Sequence, residues 1–374
     1  MSKAAELANL IGNINAGGGG VNRNVIINGA MNVAQRGTSS TGLGASSGYF
    51  TIDRFRLAFN TSGRLTMSQD SSVPSGKGFA NSLKLACTTT DTSLAADELL
   101  TLNHRIEGQN LQGFAKGTSD AKPFAVSFYC KGNASATYVL EMQDNDNDRQ
   151  ISKTFNVTTD WTKVTLNFPA DTTGAFDDDN AQSMQFQIWL NAGSNYTSGT
   201  INSSAWASTT NANRVGGGTT NFFDSTARTF FITGLQLEVG QNPTEFEHEP
   251  FDVTLSKCHR YFQKFTSEGA TFQRYGVGLN YAASASSTVI HLLHTLRDVP
   301  TLGTTGTAAN YAINHNNDQV QALNSVPTIG SVLDNPTGTI GLNCNTGSGL
   351  DTGDVGILVS NGNSSSFLSF DSEL

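Results

Sequence analysis

The feature that most constrains this chain is a two-residue alternation of apolar and polar side chains. Phe124, Val126, Phe128 and Cys130 alternate with Ala125, Ser127, Tyr129 and Lys131, and Val164, Leu166 and Phe168 alternate with Lys163, Thr165 and Asn167. A period of two is that of a strand with one buried face. Further strands are predicted at 25–28, 50–59, 82–87, 137–143, 184–190 and 229–239, separated by turn-forming clusters such as Asp144-Asn145-Asp146-Asn147-Asp148 and Asp177-Asp178-Asp179-Asn180. This many short strands implies a β-sandwich, and a jelly roll over residues 24–250 is the specific expectation.

Residues 251–262 read as a short helix or irregular connector. A second strand series follows at 286–293, 338–343, 354–360 and 366–371, in loops rich in Ser, Thr, Gly and Asn, and predicts a smaller C-terminal β-domain over 251–374. No strict repeat supports a β-helix.

Helical spacing stands out only at the start. Leu7, Leu10, Ile11 and Ile14 recur at i, i+3, i+4 and i+7, with Ser2 placed to cap. A helix over residues 1–15 is therefore predicted, followed by a Gly-rich linker over 16–23. About three turns are marginal alone in water. The apolar stripe is expected to dock on copies of itself or on a groove of another protein, as an anchoring or trimerisation helix.

Composition narrows the class further. A chain of 374 residues has room for about two domains plus terminal extras. With 14% charged residues, 38 Gly and abundant Ser, Thr and Asn, it is unsuited to a helical bundle, while 22 Phe, 8 Tyr and 3 Trp supply a packed interior. A net charge of −9 without a basic cluster argues against nucleic acid, and no apolar stretch approaches the ~18 residues of a membrane span. The N-terminal segment lacks the apolar core of a secretory signal, so synthesis in a cytosol is expected. Cys87, Cys130, Cys258 and Cys344 stand far apart with no CxxC pair and read as buried thiols. No metal and no cofactor is predicted.

Several patterns imitate catalytic or metal sites. Gly44-Ala45-Ser46-Ser47-Gly48 fits G-x-S-x-G but lacks the strand before and the helix after that a nucleophile elbow requires. Asp144, Asp146 and Asp148 open like an EF-hand, yet Arg149 holds the position of its Gly and Phe155 that of its Glu, leaving a solvated turn or a loose calcium site. Glu245, Glu247 and Glu249, with His248 among them, offer carboxylates for a glycoside hydrolase but sit beside a Pro, as solvated connectors do. The expectation is a protein that is not an enzyme.

Met184–Asn191 is more informative. Met184, Phe186, Ile188 and Leu190 share one face, which leaves Gln185, Gln187 and Trp189 on the other. An aromatic plane beside carboxamides binds sugars, the ring against C–H groups and the amides on hydroxyls. Tyr129, Tyr196 and Trp206 are candidates for the same surface. The alternative is that a loop or a neighbouring subunit covers Trp189.

The stretch Asn24-Val25-Ile26-Ile27-Asn28-Gly29-Ala30-Met31-Asn32-Val33-Ala34-Gln35-Arg36-Gly37, followed by Phe50-Thr51-Ile52-Asp53-Arg54-Phe55, resembles the opening of tail-fibre and receptor-binding proteins of tailed, especially marine, bacteriophages. In the same order follow Phe230-Phe231-Ile232-Thr233-Gly234-Leu235-Gln236-Leu237-Glu238-Val239-Gly240, Thr244-Glu245-Phe246-Glu247, Cys258-His259-Arg260-Tyr261-Phe262 and the closing Asp371-Ser372-Glu373-Leu374. The section from Val126 to Val164 also resembles carbohydrate-binding jelly-roll modules. The resemblance implies a virion component, commonly a homotrimer, that binds other virion proteins and displays β-domains to host-surface polysaccharide. Its rivals are a head fibre or capsid decoration, a tail adaptor, and a polysaccharide depolymerase.

Overall fold

The computed structural model describes residues 2–8, 22–268, 271–316, 318–330 and 337–374. Two compact units make up the chain, Met1–Thr254 with Leu374, and Leu255–Glu373.

The strands of the first unit are β1 (Ser39–Leu43), β2 (Gly48–Tyr49), β3 (Arg56–Asn60), β4 (Arg64–Asp70), β5 (Ser82–Thr89), β6 (Leu99–Glu107), β7 (Phe124–Gly132), β8 (Ala136–Asp144), β9 (Arg149–Val157), β10 (Thr162–Phe168), β11 (Gln182–Ala192), β12 (Ala207–Ser208) and β13 (Thr229–Val239). They form a six-stranded sheet in the order β1-β4-β5-β13-β7-β10 and a seven-stranded sheet in the order β12-β9-β8-β11-β6-β3-β2. From β5 to β6, β7 to β8, β9 to β10 and β10 to β11 the chain crosses between sheets, as a jelly roll requires. The alternating apolar faces meet in one core. Leu85, Phe128 and Phe230 from one sheet join Leu102, Leu140 and Ile188 from the other, and Phe128 meets Phe155 edge-on at 5.1 Å.

Two predicted strands are corrected. Residues 27–30 are a turn, with Asn28 and Met31 in the left-handed region at φ 63° and 59°. Asn28 makes this turn by local hydrogen bonding: its Nδ2 donates to the carbonyls of Val33 at 2.9 Å and Asp53 at 3.0 Å, and its Oδ1 accepts from the Val33 N–H. The strand expected at 50–59 begins only at Arg56.

The chain ends of this unit are fastened by a buried polar network. Gly234, at φ 63°, interrupts β13 where the Phe79 ring leaves no room for a Cβ, and the ladder to β7 shifts between Thr233 and Gln236. Beyond that kink Gln236 and Glu238 are fully buried. Glu238 Oε1 accepts from Thr244 N at 2.6 Å and Gln236 Nε2 at 2.8 Å, and Arg23 Nε lies 3.4 Å from Oε2. Gln236 Oε1 accepts from Glu247 N at 2.8 Å, and the Glu247 carboxylate accepts the N–H groups of Asn22, Arg23 and Asn24 at 2.6, 2.7 and 3.0 Å. Asn24 closes the circuit by accepting from Leu237 N and donating to Leu235 O, each at 3.0 Å.

The second unit contains β14 (Phe262–Thr266), β15 (Arg274–Ala282), β16 (Ala285–His291), β17 (Thr301–Thr304), β18 (Tyr311–His315), β19 (Gln319–Ala322), β20 (Thr328–Ile329), β21 (Thr339–Asn345), β22 (Val355–Ser360) and β23 (Phe367–Asp371). A three-stranded sheet runs β14-β23-β17 and a seven-stranded sheet β19-β18-β22-β15-β16-β21-β20. Ile290, Tyr311, Ile313, Leu342, Leu358 and Phe370 belong to its core. A helix, Phe251–His259, spans the boundary between the units.

At the N-terminus residues 3–8 are helical, and Leu7 is 56% exposed. Leu10, Ile11 and Ile14 lie outside the described residues, as does most of the Gly-rich linker. All four cysteines are buried; burial pushes the Cys130 and Cys344 thiols up to about 12.

Two predictions follow from the buried polar groups. Glu238→Ala removes a fully buried carboxylate that accepts hydrogen bonds from Thr244 and Gln236 and should cost the first unit about 1–3 kcal/mol in urea unfolding, whereas replacing Glu245, whose side chain is 91% exposed, should stay within about 0.5 kcal/mol. Equal effects would contradict the network. In the second unit, His259 Nδ1 lies 3.2 Å from His294 Nδ1, and burial together with His294 holds its pKa below the ordinary 6.5. The unfolded chain therefore takes up the proton first, and stability should fall as pH drops below about 6.5. His259→Gln should flatten that fall; an unchanged pH profile would refute it.

Candidate functional site

In β11, Gln187 stands opposite Glu141 of β8 and Asn103 of β6, and Trp189 stands opposite Val139 and Thr101. Met184, Phe186, Ile188 and Leu190 point into the sandwich core. Gln185, Gln187 and Trp189 thus share the outer face of the seven-stranded sheet, as the alternation requires.

That face is closed. Trp189 is 1% exposed. Its Nε1 donates to Glu141 Oε2 at 2.7 Å, and Gln187 Nε2 donates to the same oxygen at 3.2 Å and to Gln143 Oε1 at 2.9 Å. Arg214 Nε donates to Glu141 Oε1 at 3.0 Å, its Nη2 to Gln143 Oε1 at 2.8 Å, and its guanidinium carbon lies 5.0 Å from the centre of the Trp189 ring. Tyr196 packs on the ring at 5.0 Å, with Val139, Ala192 and Val215 around it. Residues 193–218 bring Tyr196, Arg214 and Val215 onto the sheet, held by a Val215 N to Tyr196 O bond of 3.0 Å. The covering loop is therefore the arrangement found, and the predicted sugar platform at Trp189 is corrected. Burial pushes the Glu141 carboxyl up, while Arg214 and the Trp189 N–H pull it back.

The other predicted residues separate. Gln185 stays on this face, buried, and accepts from Gln182 Nε2 at 2.9 Å. Tyr129 lies in the opposite sheet, where its ring packs on Phe79 at 5.8 Å, so it cannot share a surface with Trp189. Trp206 belongs to the core, its Nε1 donating to Pro169 O at 3.1 Å.

The imitation motifs have structural partners. Asp144 is buried against Lys116 Nζ at 2.5 Å, and Lys116 also meets Asp171 at 3.2 Å, so a lysine ammonium occupies the cation's place at the acidic turn. The backbone of residues 22–24 holds the Glu247 carboxylate, and His248 packs on Phe79 and Phe246 at 5.0 and 4.9 Å.

An open surface lies on the second unit. Across the outer face of its larger sheet, Val277 pairs with Ile357 and Val289, Leu279 with Val355, and Ile357 with Asn314. Val277, Leu279, Tyr281 and Val355 are each more than half exposed. Beside them a recess of about 350 Å³ is lined by Asn314, His315, Asn316, Asp318, Val355 and Ile357. Sequence reasoning passed over it, yet β15 carried the signal: Gly276, Gly278 and Asn280 take the inward positions while Val277, Leu279 and Tyr281 take the outward ones, the reverse of an ordinary half-buried strand. Although the sequence predicted no metal, His315, Asp351 and Asp354 of this unit form one group with metal-ligand spacing among the described residues. Among those residues no helix is long and apolar enough to cross a membrane.

No family model matches the chain, and no curated protein matches it in sequence. Among solved structures it is similar to the enzymatically active domain of tailspike protein 4 of bacteriophage CBA120, at TM-score 0.31 and 11% identity over 58% of this chain and 21% of that one. It is also similar to TmCBM61 in complex with β-1,4-galactotriose, at TM-score 0.29 and 10% identity over 58% of this chain and 99% of that one. A third similarity is to a family 11 carbohydrate-binding module of Clostridium thermocellum, at TM-score 0.27 and 11% identity over 56% and 98% of the two chains.

Since Trp189 is a packing residue, Trp189→Ala should lower the unfolding free energy by about 3–5 kcal/mol. A variant of unchanged stability would show that the loop does not hold the ring.

Proposed function

We propose that this protein is a phage virion component, a tail fibre or fibre tip, that presents its β-domains to host-surface glycan without cleaving it. The observation that carries the glycan part is the open face of the second unit. Val277, Leu279, Val355 and the Tyr281 ring form an uncharged apolar platform, and Asn314, Asn316 and Asp318 line the adjoining recess. Apolar side chains suit the C–H faces of sugar rings, while carboxamides and a carboxylate suit their hydroxyls. The virion part is supported by the ordered set of motifs over residues 24–262, and the anchoring part by Leu7, exposed on the N-terminal helix. Trimerisation through that helix raises avidity, so shallow sites suffice. One rival draws on the same apolar face: a head decoration or tail adaptor would bury it against another virion protein.

Tyr281→Ala and Asn314→Ala should each weaken binding to susceptible cells at least tenfold with an unchanged melting temperature, read by cell pull-down and thermal scanning. Full binding by both variants would move the receptor site elsewhere. Deleting residues 1–20 should abolish incorporation into particles while the β units still fold; normal incorporation would refute the anchor.

A further inference from the structure

We infer that His315, Asp351 and Asp354 form a binding site for a divalent transition-metal cation of the Zn²⁺ type. A ring nitrogen of His315 and one carboxylate oxygen from each aspartate lie within 4.8 Å of one another. His315 ends β18, and the two aspartates come from the loop before β22. Backbone bonds fix that loop: Leu350 N donates to Ala283 O at 2.9 Å, Gly353 N to Asn280 O at 2.8 Å, and Asp354 N to Asp351 O at 3.2 Å. Asn316 Nδ2 donates to Asp351 Oδ2 at 2.8 Å and orients that carboxylate.

A second, independent observation points to a ligand. His315 is only 4% exposed, and its Nδ1 is buried with no hydrogen-bond partner among the described residues. One imidazole with two carboxylates suits Zn²⁺, Co²⁺ or Mn²⁺ better than Ca²⁺ or Mg²⁺, which prefer all-oxygen shells. Three protein ligands leave a coordination position to water. The site stands whether or not the neighbouring recess takes glycan.

The test uses the full chain freed of metal with EDTA and titrated calorimetrically with Zn²⁺, with Co²⁺ absorption as a report on coordination. One Zn²⁺ per chain is expected, with at least tenfold weaker binding in Asp351→Asn and in His315→Ala, and with binding retained when the exposed His291 is replaced by Ala. Because His315 is buried and its replacement risks unfolding the unit, the exposed Asp351 supplies the decisive variant. No Zn²⁺ uptake, uptake undiminished in Asp351→Asn, or heat from Ca²⁺ but none from Zn²⁺ would overturn the assignment.

Discussion

A carboxylate buried in the first unit, Glu238, has no water to solvate it, and the chain answers with Thr244, Gln236 and Arg23. To bring those groups there, the segment after β13 must turn back along the strand and the segment before the first turn must lie beside it. Asn24 and Glu247 tie the two together. The sandwich core is non-directional, and many registers would bury the same Phe and Leu side chains. The polar network is directional, and it selects one pairing of the unit's two ends. Of the segments that resemble phage fibre proteins, Asn24, Asn28, Gln236, Glu238, Thr244 and Glu247 lie in this latch or in the Asn28 turn, so these residues have a structural role.

A similar logic closes the outer face of the seven-stranded sheet. Glu141 is fully buried there, and its neutralising cation comes from Arg214, far along the chain in the covering loop. Once that loop is drawn in, Trp189 is sandwiched and its indole N–H satisfied. A strand mixing carboxamides with an aromatic ring is therefore ambiguous by itself: such side chains recognise a sugar in the open and a protein loop when covered.

Period-two alternation was sufficient to place β7, β8, β10, β11 and β13 and the later strands β16, β21, β22 and β23. It missed β6 and β9, where buried polar residues such as Asn103, His104, Gln150 and Ser152 blur the contrast between faces. It placed a strand at 25–28 because Val25, Ile26 and Ile27 are β-branched, while the Asn28 turn overrode that propensity. The grouping of Gln185, Gln187 and Trp189 was legible from alternation, but the cover over them was not, since Arg214 carries no local signal. Tyr129 was misassigned because a face is defined within one sheet, and sequence alone did not say that β7 and β11 lie in different sheets. The face of β15 could have been read, because two glycines inward and two valine-sized or larger apolar residues outward invert the usual order.

We propose that the exposed face of the second unit, and not the covered Trp189 face of the first, meets the host. Hydrogen–deuterium exchange of the full-length chain, with and without surface polysaccharide from susceptible cells, tests it most directly. Protection confined to 277–281, 314–316 and 355–357 is the predicted result. Protection over 185–215, or none at saturating polysaccharide, would contradict the account.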